Sequence, residues 1–258
     1  MKKLFLSYKR VFLCLNSRGF RWILFYTMVV SLSFRGNTEE PKQDSLTARQ
    51  ILDHTATIYR ECKSYHDSGV VKTVLIKAGG NLIEEKPFIT SFIRPDRFRF
   101  EYFEKEANKQ ERRYFVWQKR NNIVAWRDFK IKLGIDRPKS ISSALAGAMG
   151  VSGGSAYTIP RMLLPDQIKG WSLTDMSDIK RIDDSKIENN GCYCIQGRHD
   201  DSPMTLWIDK ETFLVRRIDS QHKFDNFRTE SITTYDSMIN GEITEKMLEY
   251  IPLKPRKK

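Results

Sequence analysis

Residues Phe88 to Phe103 read FITSFIRPDRFRFEYF, and the fold follows from how that stretch divides. Two runs dense in aromatic and β-branched residues flank Arg94-Pro95-Asp96. In the second run Phe98, Phe100 and Tyr102 alternate with Arg97, Arg99 and Glu101. A period of two with one apolar and one charged side is the pattern of a β-strand. Proline has no ladder donor, so Pro95 predicts a bulge or bend between two strands.

The same period extends on both sides. Val70 to Lys77 is followed by Ala78-Gly79-Gly80-Asn81, a turn signal, and then by Leu82 to Ile93. After Arg97 to Phe103, Arg113 to Gln118 sets Phe115 and Trp117 against Tyr114 and Val116, and Asn121-Asn122 turns the chain into Ile123 to Phe129. About six strands fill the first half. Strands resume at Trp171 to Ile182 and at Lys186 to Gly197 around Asn189-Asn190-Gly191. Met204 to Asp209 and Leu214 to Ser220 read as a hairpin, followed by Arg228 to Tyr235 and Glu242 to Tyr250.

One helix precedes the strands. Thr47 as N-cap and Gln50 three residues on form a capping box, and Leu46 and Ile51 stand where a hydrophobic staple needs them. The helix runs to about Glu61 with Ile51, Leu52, Thr55, Ile58, Tyr59 and Cys62 on one stripe, so it packs against something and Cys62 is buried. Between the two sets of strands, Ser140 to Leu164 (SISSALAGAMGVSGGSAYTIPRMLL) carries no charge until Arg161. It reads as a short helix, a glycine-rich hinge at Gly150, Gly153 and Gly154, and a second short helical piece. Two readings fit: a cover over an apolar concavity, hinged at those glycines, or an ordinary buried connector. Helix, meander, helical insertion and meander make an α+β plan.

The first 33 residues hold six basic side chains and no acidic one, then Trp22 to Phe34 is nearly all apolar. That is the order of a secretory signal, and the apolar run falls short of the roughly 20 residues a bilayer span needs. The reading is a signal peptide over residues 1–33, with an uncleaved anchor as the other choice. Residues 34–44 form a polar lead-in, 45–252 the folded domain and 253–258 a basic tail. The formal charge of +12 falls by half without the leader. Basic and acidic residues are then mixed along every segment, which argues against nucleic-acid binding.

An exported chain meets an oxidising compartment, so Cys62 paired with Cys192 or Cys194 is the expected disulfide. Cys192 and Cys194 lie two apart on one strand, so they do not bridge each other easily. His54, His66, His199 and His222 form no cluster, and neither a metal nor a cofactor is expected. Nucleophile elbows, P-loops, dinucleotide fingerprints, HExxH and CxxC motifs are absent, and Gly150 to Gly154 misses the nucleophile spacing around Ser152. His199-Asp200-Asp201 reads as a turn and Glu84-Glu85 as solvated strand residues. The chain does not read as an enzyme.

A helix ending in YRECKSYHDSG, then FITSFIRPDRFRFEY, and later TLWIDKETFLVRRID (Thr205 to Asp219) resemble the LolA/LolB-like superfamily of bacterial envelope proteins, over about residues 45–252. The resemblance implies an open antiparallel half-barrel of roughly eleven strands, with helices covering its concave apolar face. It implies a monomeric periplasmic carrier for an acyl chain or a lipidated protein, working with an inner- or outer-membrane partner protein. The other reading is an envelope sensor or scaffold that binds a protein with the same half-barrel. In the carriers an arginine before a proline bonds to the covering helices and takes part in gating, and Arg94 holds that place; a surface ion-pair role is the alternative. The implied pocket wall is Phe92, Phe98, Phe100, Phe115, Trp117 and Trp126, with Leu145, Met149, Met162 and Leu163 from the cover. Plain core packing accounts for each of them equally well. The chain departs from the carriers in its length, its cysteines and its glycine-rich cover.

Overall fold

The structure is a computed structural model that describes residues 45–106, 109–129 and 132–254. The expected signal peptide with Cys14, the polar lead-in to residue 44 and the tail beyond Lys254 lie outside those residues.

Helix α1 (Ala48–Glu61) starts at the capping box: the Gln50 amide donates to Thr47 Oγ1 at 3.3 Å, and the Thr47 amide donates to Gln50 Oε1 at 2.9 Å. Two of the amides that a helix start leaves without partners are satisfied in this way. The stripe Ile51, Leu52, Thr55 and Tyr59 is buried.

Six strands follow: β1 (Ser64–Lys77), β2 (Gly80–Ile93), β3 (Arg97–Glu106), β4 (Lys109–Lys119), β5 (Asn122–Phe129) and β6 (Lys132–Asp136). The long connection then carries α2 (Ile141–Met149) and α3 (Ser155–Leu163). After it come β7 (Ser177–Ile187), β8 (Asn190–His199), β9 (Ser202–Asp209), β10 (Val215–Lys223) and β11 (Phe227–Ile239). Among the described residues these form one eleven-stranded sheet in the order β6-β5-β4-β3-β2-β1-β11-β10-β9-β8-β7. Every neighbouring pair is antiparallel, and the β1–β11 ladder, with Val70 opposite Thr234, joins the two meanders. Strands β6 and β7 are left as edges, so the sheet is an open half-barrel, as the resemblance implied.

Strand β1 begins six residues earlier than the apolar alternation showed. The reason is local: Asp67 and Gly69 take positions on the helix-facing side where the period asks for apolar residues. Gly69 is required there, because a β-carbon would meet the Phe88 ring and the Thr234 carbonyl. The segment from Trp171 is not a strand until Ser177; its first part is a loop and a short 3-10 turn at Leu173–Asp175. Glu242 to Tyr250 is not a strand either. It holds a 3-10 turn at Glu245–Leu248 and crosses the outside of the sheet, so the period-two reading there mistook contact with one surface for sheet pairing.

One face of the sheet carries the helices. Tyr65, Phe88, Phe92, Phe98, Phe100, Tyr102, Tyr114 and Val116 pack there in one cluster with Leu52, Leu145, Ala156, Ile159 and Leu163. Helix α2 lies against β4 and β5, and α3 against α1 and β3. The turn between α2 and α3 needs glycine: Gly153 and Gly154 have φ of +66° and +91°, and Gly154 caps α3. Gly150, the third glycine of the expected hinge, is ordinary right-handed helix.

Candidate functional site

The covered face has an aromatic floor. Phe88, Phe92, Phe98 and Phe100 are fully buried, and the Phe92 and Phe98 rings stand 6.5 Å apart. Burying a phenylalanine contributes about 2–3 kcal/mol, so the floor and the helices over it hold each other in place. Leu145 of α2 and Met162 and Leu163 of α3 are buried against that floor, a position that a cover and an ordinary buried connector share. Met149 is not: it stands 43% exposed at the end of α2. Helix α2 holds no charged residue and α3 only Arg161.

Arg94 lies where β2 leaves the sheet, before a cis Arg94–Pro95 peptide. Its Nε donates to the Cys62 carbonyl at 3.0 Å. Its Nη2 donates to the Tyr59 carbonyl at 3.3 Å and the Leu163 carbonyl at 3.0 Å. These carbonyls belong to the C-terminal ends of α1 and α3, where a helix leaves acceptors unpaired and the dipole favours a cation. The guanidinium also lies 5.1 Å over the Phe92 ring. One cation thus joins the ends of two helices above the floor; the alternative reading, a surface ion pair, is not what Arg94 makes among the described residues.

Three expected wall residues stand elsewhere. Phe115, Trp117 and Trp126 point to the outer face, under the C-terminal segment. Phe115 stacks on Trp126 at 5.4 Å and meets Tyr250 edge-on at 5.9 Å. The indole nitrogens of Trp117 and Trp126 donate to the carbonyls of Leu248 at 2.9 Å and Ile251 at 2.7 Å. Around them Arg97 grips Glu245 with two hydrogen bonds of 2.8 and 2.6 Å, while Arg99 pairs with Glu101, which also accepts from Arg112. Both parities of β4 are apolar because both of its faces are covered, so alternation could not say which one met the helices.

The cysteines need a similar correction. Cys62, Cys192 and Cys194 are all free thiols. Cys62 lies on the helix side, whereas Tyr193 and Ile195 take the helix-facing positions of β8 and turn Cys192 and Cys194 outward. The sheet itself separates the would-be partners. Among the described residues no group of three or more His, Cys, Asp or Glu side chains is placed to hold a metal ion, and no helix is long and apolar enough to cross a membrane.

A buried polar group at the centre of the floor escaped the sequence reading. Asp67 of β1 is fully buried. Its Oδ2 accepts from the Tyr65 hydroxyl at 2.7 Å and its Oδ1 from the Thr90 amide at 2.8 Å. Burial pushes its carboxyl up to about 7, against the opposing pull of those hydrogen bonds. Tyr59 of α1 and Tyr235 of β11 stand close to it, and burial drives the Tyr59, Tyr65 and Tyr235 hydroxyls well up too. In SYHDSGVV nothing marks Asp67 as inward-facing, because polar residues flank it on both sides.

Several solved structures are similar to this chain. A LolA superfamily protein from Nitrosomonas europaea is similar at 13% identity over 80% of this chain and 99% of its own, with a TM-score of 0.32. A DUF1329 family protein from Desulfovibrio piger is similar at 12% identity, over 79% and 96%, with a TM-score of 0.33. The MucA/MucB complex of Pseudomonas aeruginosa contains a chain similar at 11% identity, over 79% of this chain and 60% of that one, with a TM-score of 0.40. No curated protein matches the sequence. A family model matches residues 48–235, nearly the whole run from α1 to β11, and this chain is therefore a member of the family described as predicted periplasmic protein (DUF2092).

Proposed function

We infer that this protein carries a hydrophobic ligand across the cell envelope, holding an acyl chain, free or borne by a lipidated protein, between the aromatic floor and the helical cover. The Arg94 clasp carries the reading. A core meant only to be permanent has no need of a cation gathering the ends of two helices over a phenylalanine ring. A cover that opens and closes does, because hydrogen bonds to main-chain carbonyls re-form with water when broken, at a net cost of only about 1–3 kcal/mol each for a charged donor.

The rest of the site supports it. Phe92, Phe98 and Phe100 offer an apolar bed, and Leu145, Met162 and Leu163 pack in the same cluster. The small side chains of α2 and the two left-handed glycines before α3 let those helices shift without dragging charge through an apolar layer. A guest chain would replace the contacts between helices and floor. Each methylene withdrawn from water contributes about 0.8 kcal/mol, so a dodecyl chain brings on the order of 10 kcal/mol against the lost packing. In this reading the leader of residues 1–33 exports the chain.

Native mass spectrometry with organic extraction of the exported, purified protein tests the proposal. Lipid adducts that disappear on extraction are the expected result. A protein that is lipid-free and takes up none when mixed with phospholipid or fatty acid would overturn it, and capture of a protein partner by the same dry protein would favour the scaffold reading.

A further inference from the structure

The floor of the site is apolar except at its centre. Among the described, fully buried residues of β1 and β2 that face the helices, Asp67 alone carries an ionisable acid, and it lies between the rows of Phe88 and Phe92. A carboxylate in such a place is costly unless it is paired or neutralised. Among the described residues Asp67 has no cation beside it. Its partners are the Tyr65 hydroxyl and the Thr90 amide, with Tyr65 in turn 3.0 Å from Ser237 Oγ. Next to it, the buried Thr90 hydroxyl feels the carboxylate but makes no hydrogen bond of ordinary geometry. A buried hydroxyl left unmet costs about 1–3 kcal/mol, and native proteins keep few of them. Above the pair, the Tyr235 hydroxyl lies close to Thr158 of α3, so displacing that helix would uncover one more polar group at the same spot. The groups that face Asp67 from the surrounding elements are Tyr59 of α1, Tyr65 of β1, Thr90 of β2, and Tyr235 and Ser237 of β11, while Asp236 lies on the other, exposed side of the sheet. The groups on the Asp67 side are all hydroxyls or an amide.

We propose that Asp67, Thr90 and Tyr235 form the head-group end of the concave site, selecting single-chain amphiphiles whose polar end donates hydrogen bonds, an amine or an alcohol, over those ending in a carboxylate. The inference rests on the carrier reading and deepens it. An acceptor-rich cluster with an acid at its centre matches a donor, and it repels a second carboxylate. The competing arrangement would turn the head group toward Arg94, which a carboxylate would favour once the cover opens.

The test uses the purified protein, the apolar fluorophore N-phenyl-1-naphthylamine as the bound probe, and dodecylamine, dodecanol and dodecanoate as competitors below their micelle concentrations. Dodecylamine and dodecanol are expected to displace the probe at concentrations about tenfold or more lower than dodecanoate. Asp67→Asn should bring dodecylamine to within about threefold of dodecanoate, read as the ratio of the two displacement concentrations on that variant so that any change in probe affinity cancels; Thr90→Val provides the same comparison if the first variant does not fold. Dodecanoate competing as well as the amine in the unaltered protein would overturn the inference and leave the carrier reading standing. No uptake of the probe at all would sink both.

Discussion

Arg94 Nη2 lies 3.0 Å from the carbonyl oxygen of Leu163, so a side chain rooted just past the end of β2 holds the last turn of α3. The same guanidinium reaches the end of α1 through Tyr59 and Cys62. Arg94→Leu keeps most of the bulk over Phe92 and removes every one of these bonds. We expect a loss of about 1–3 kcal/mol, small enough to leave a cooperative unfolding transition, together with faster hydrogen exchange at the amides of residues 155–163. Ligand retention should fall well beyond what the stability loss alone explains. Unfolding of the variant with unchanged lipid content would contradict a clasp.

How much of this was readable in the sequence depends on whether a local rule applied. The capping box at Thr47 and Gln50, the Arg94-Pro95-Asp96 break and the hairpin from Met204 to Ser220 each rest on short-range chemistry, and each was placed correctly. Faces were harder. Phe98 and Phe100 alternate with charged residues, so their side of β3 was plain. Tyr114 to Trp117 is apolar on both sides because the C-terminal segment covers the outside of β4, and nothing local says which side is which. Asp67 was invisible for the opposite reason: an inward carboxylate obeys no pattern, and only the tertiary neighbours Tyr65 and Thr90 explain it.

The outer-face aromatics give a stability prediction that separates them from the floor. Trp126→Ala removes a ring stacked on Phe115 and a hydrogen bond to Ile251. It should cost about 3 kcal/mol in denaturant unfolding and leave probe affinity per folded molecule unchanged. Phe100→Ala, at comparable cost, should also lower that affinity. Equal effects of the two on ligand uptake would place the binding surface wrongly.

Asp67 predicts how stability changes with pH. Its carboxyl titrates near its ordinary value in the unfolded chain and at about 7 in the fold. The folded state therefore holds the proton more tightly, a contribution present in full below pH 4 and withdrawn as pH rises to about 7. Burial lowers His66, so its contribution runs the other way, shrinking as pH falls through the ordinary histidine range. Comparing variants cancels it: from pH 4 to 7 the unaltered protein should lose stability relative to Asp67→Asn, by a few kcal/mol at most. Parallel pH profiles would mean that Asp67 is ionised in the fold at low pH.

The thiols are testable chemically. Cys62, Cys192 and Cys194 are buried, and burial raises the first and second away from their reactive form. The leader-free protein should give almost no reaction with Ellman's reagent while folded and three free thiols once unfolded without reductant. Only one thiol under those conditions would restore the disulfide.

The central claim is that α2 and α3 must move for a ligand to enter, and the hinge offers a way to prevent it. A β-carbon at position 153 would stand 3.5 Å from that of Val71, inside the range a disulfide spans. The double variant Val71→Cys, Gly153→Cys, compared oxidised and reduced so that any strain at the left-handed position cancels, locks the cover to the floor in one state only. The direct measurement is the rate of N-phenyl-1-naphthylamine uptake in each. The account predicts that uptake stops when the bond forms and returns when it is reduced; equal rates in both states would show that nothing enters beneath these helices.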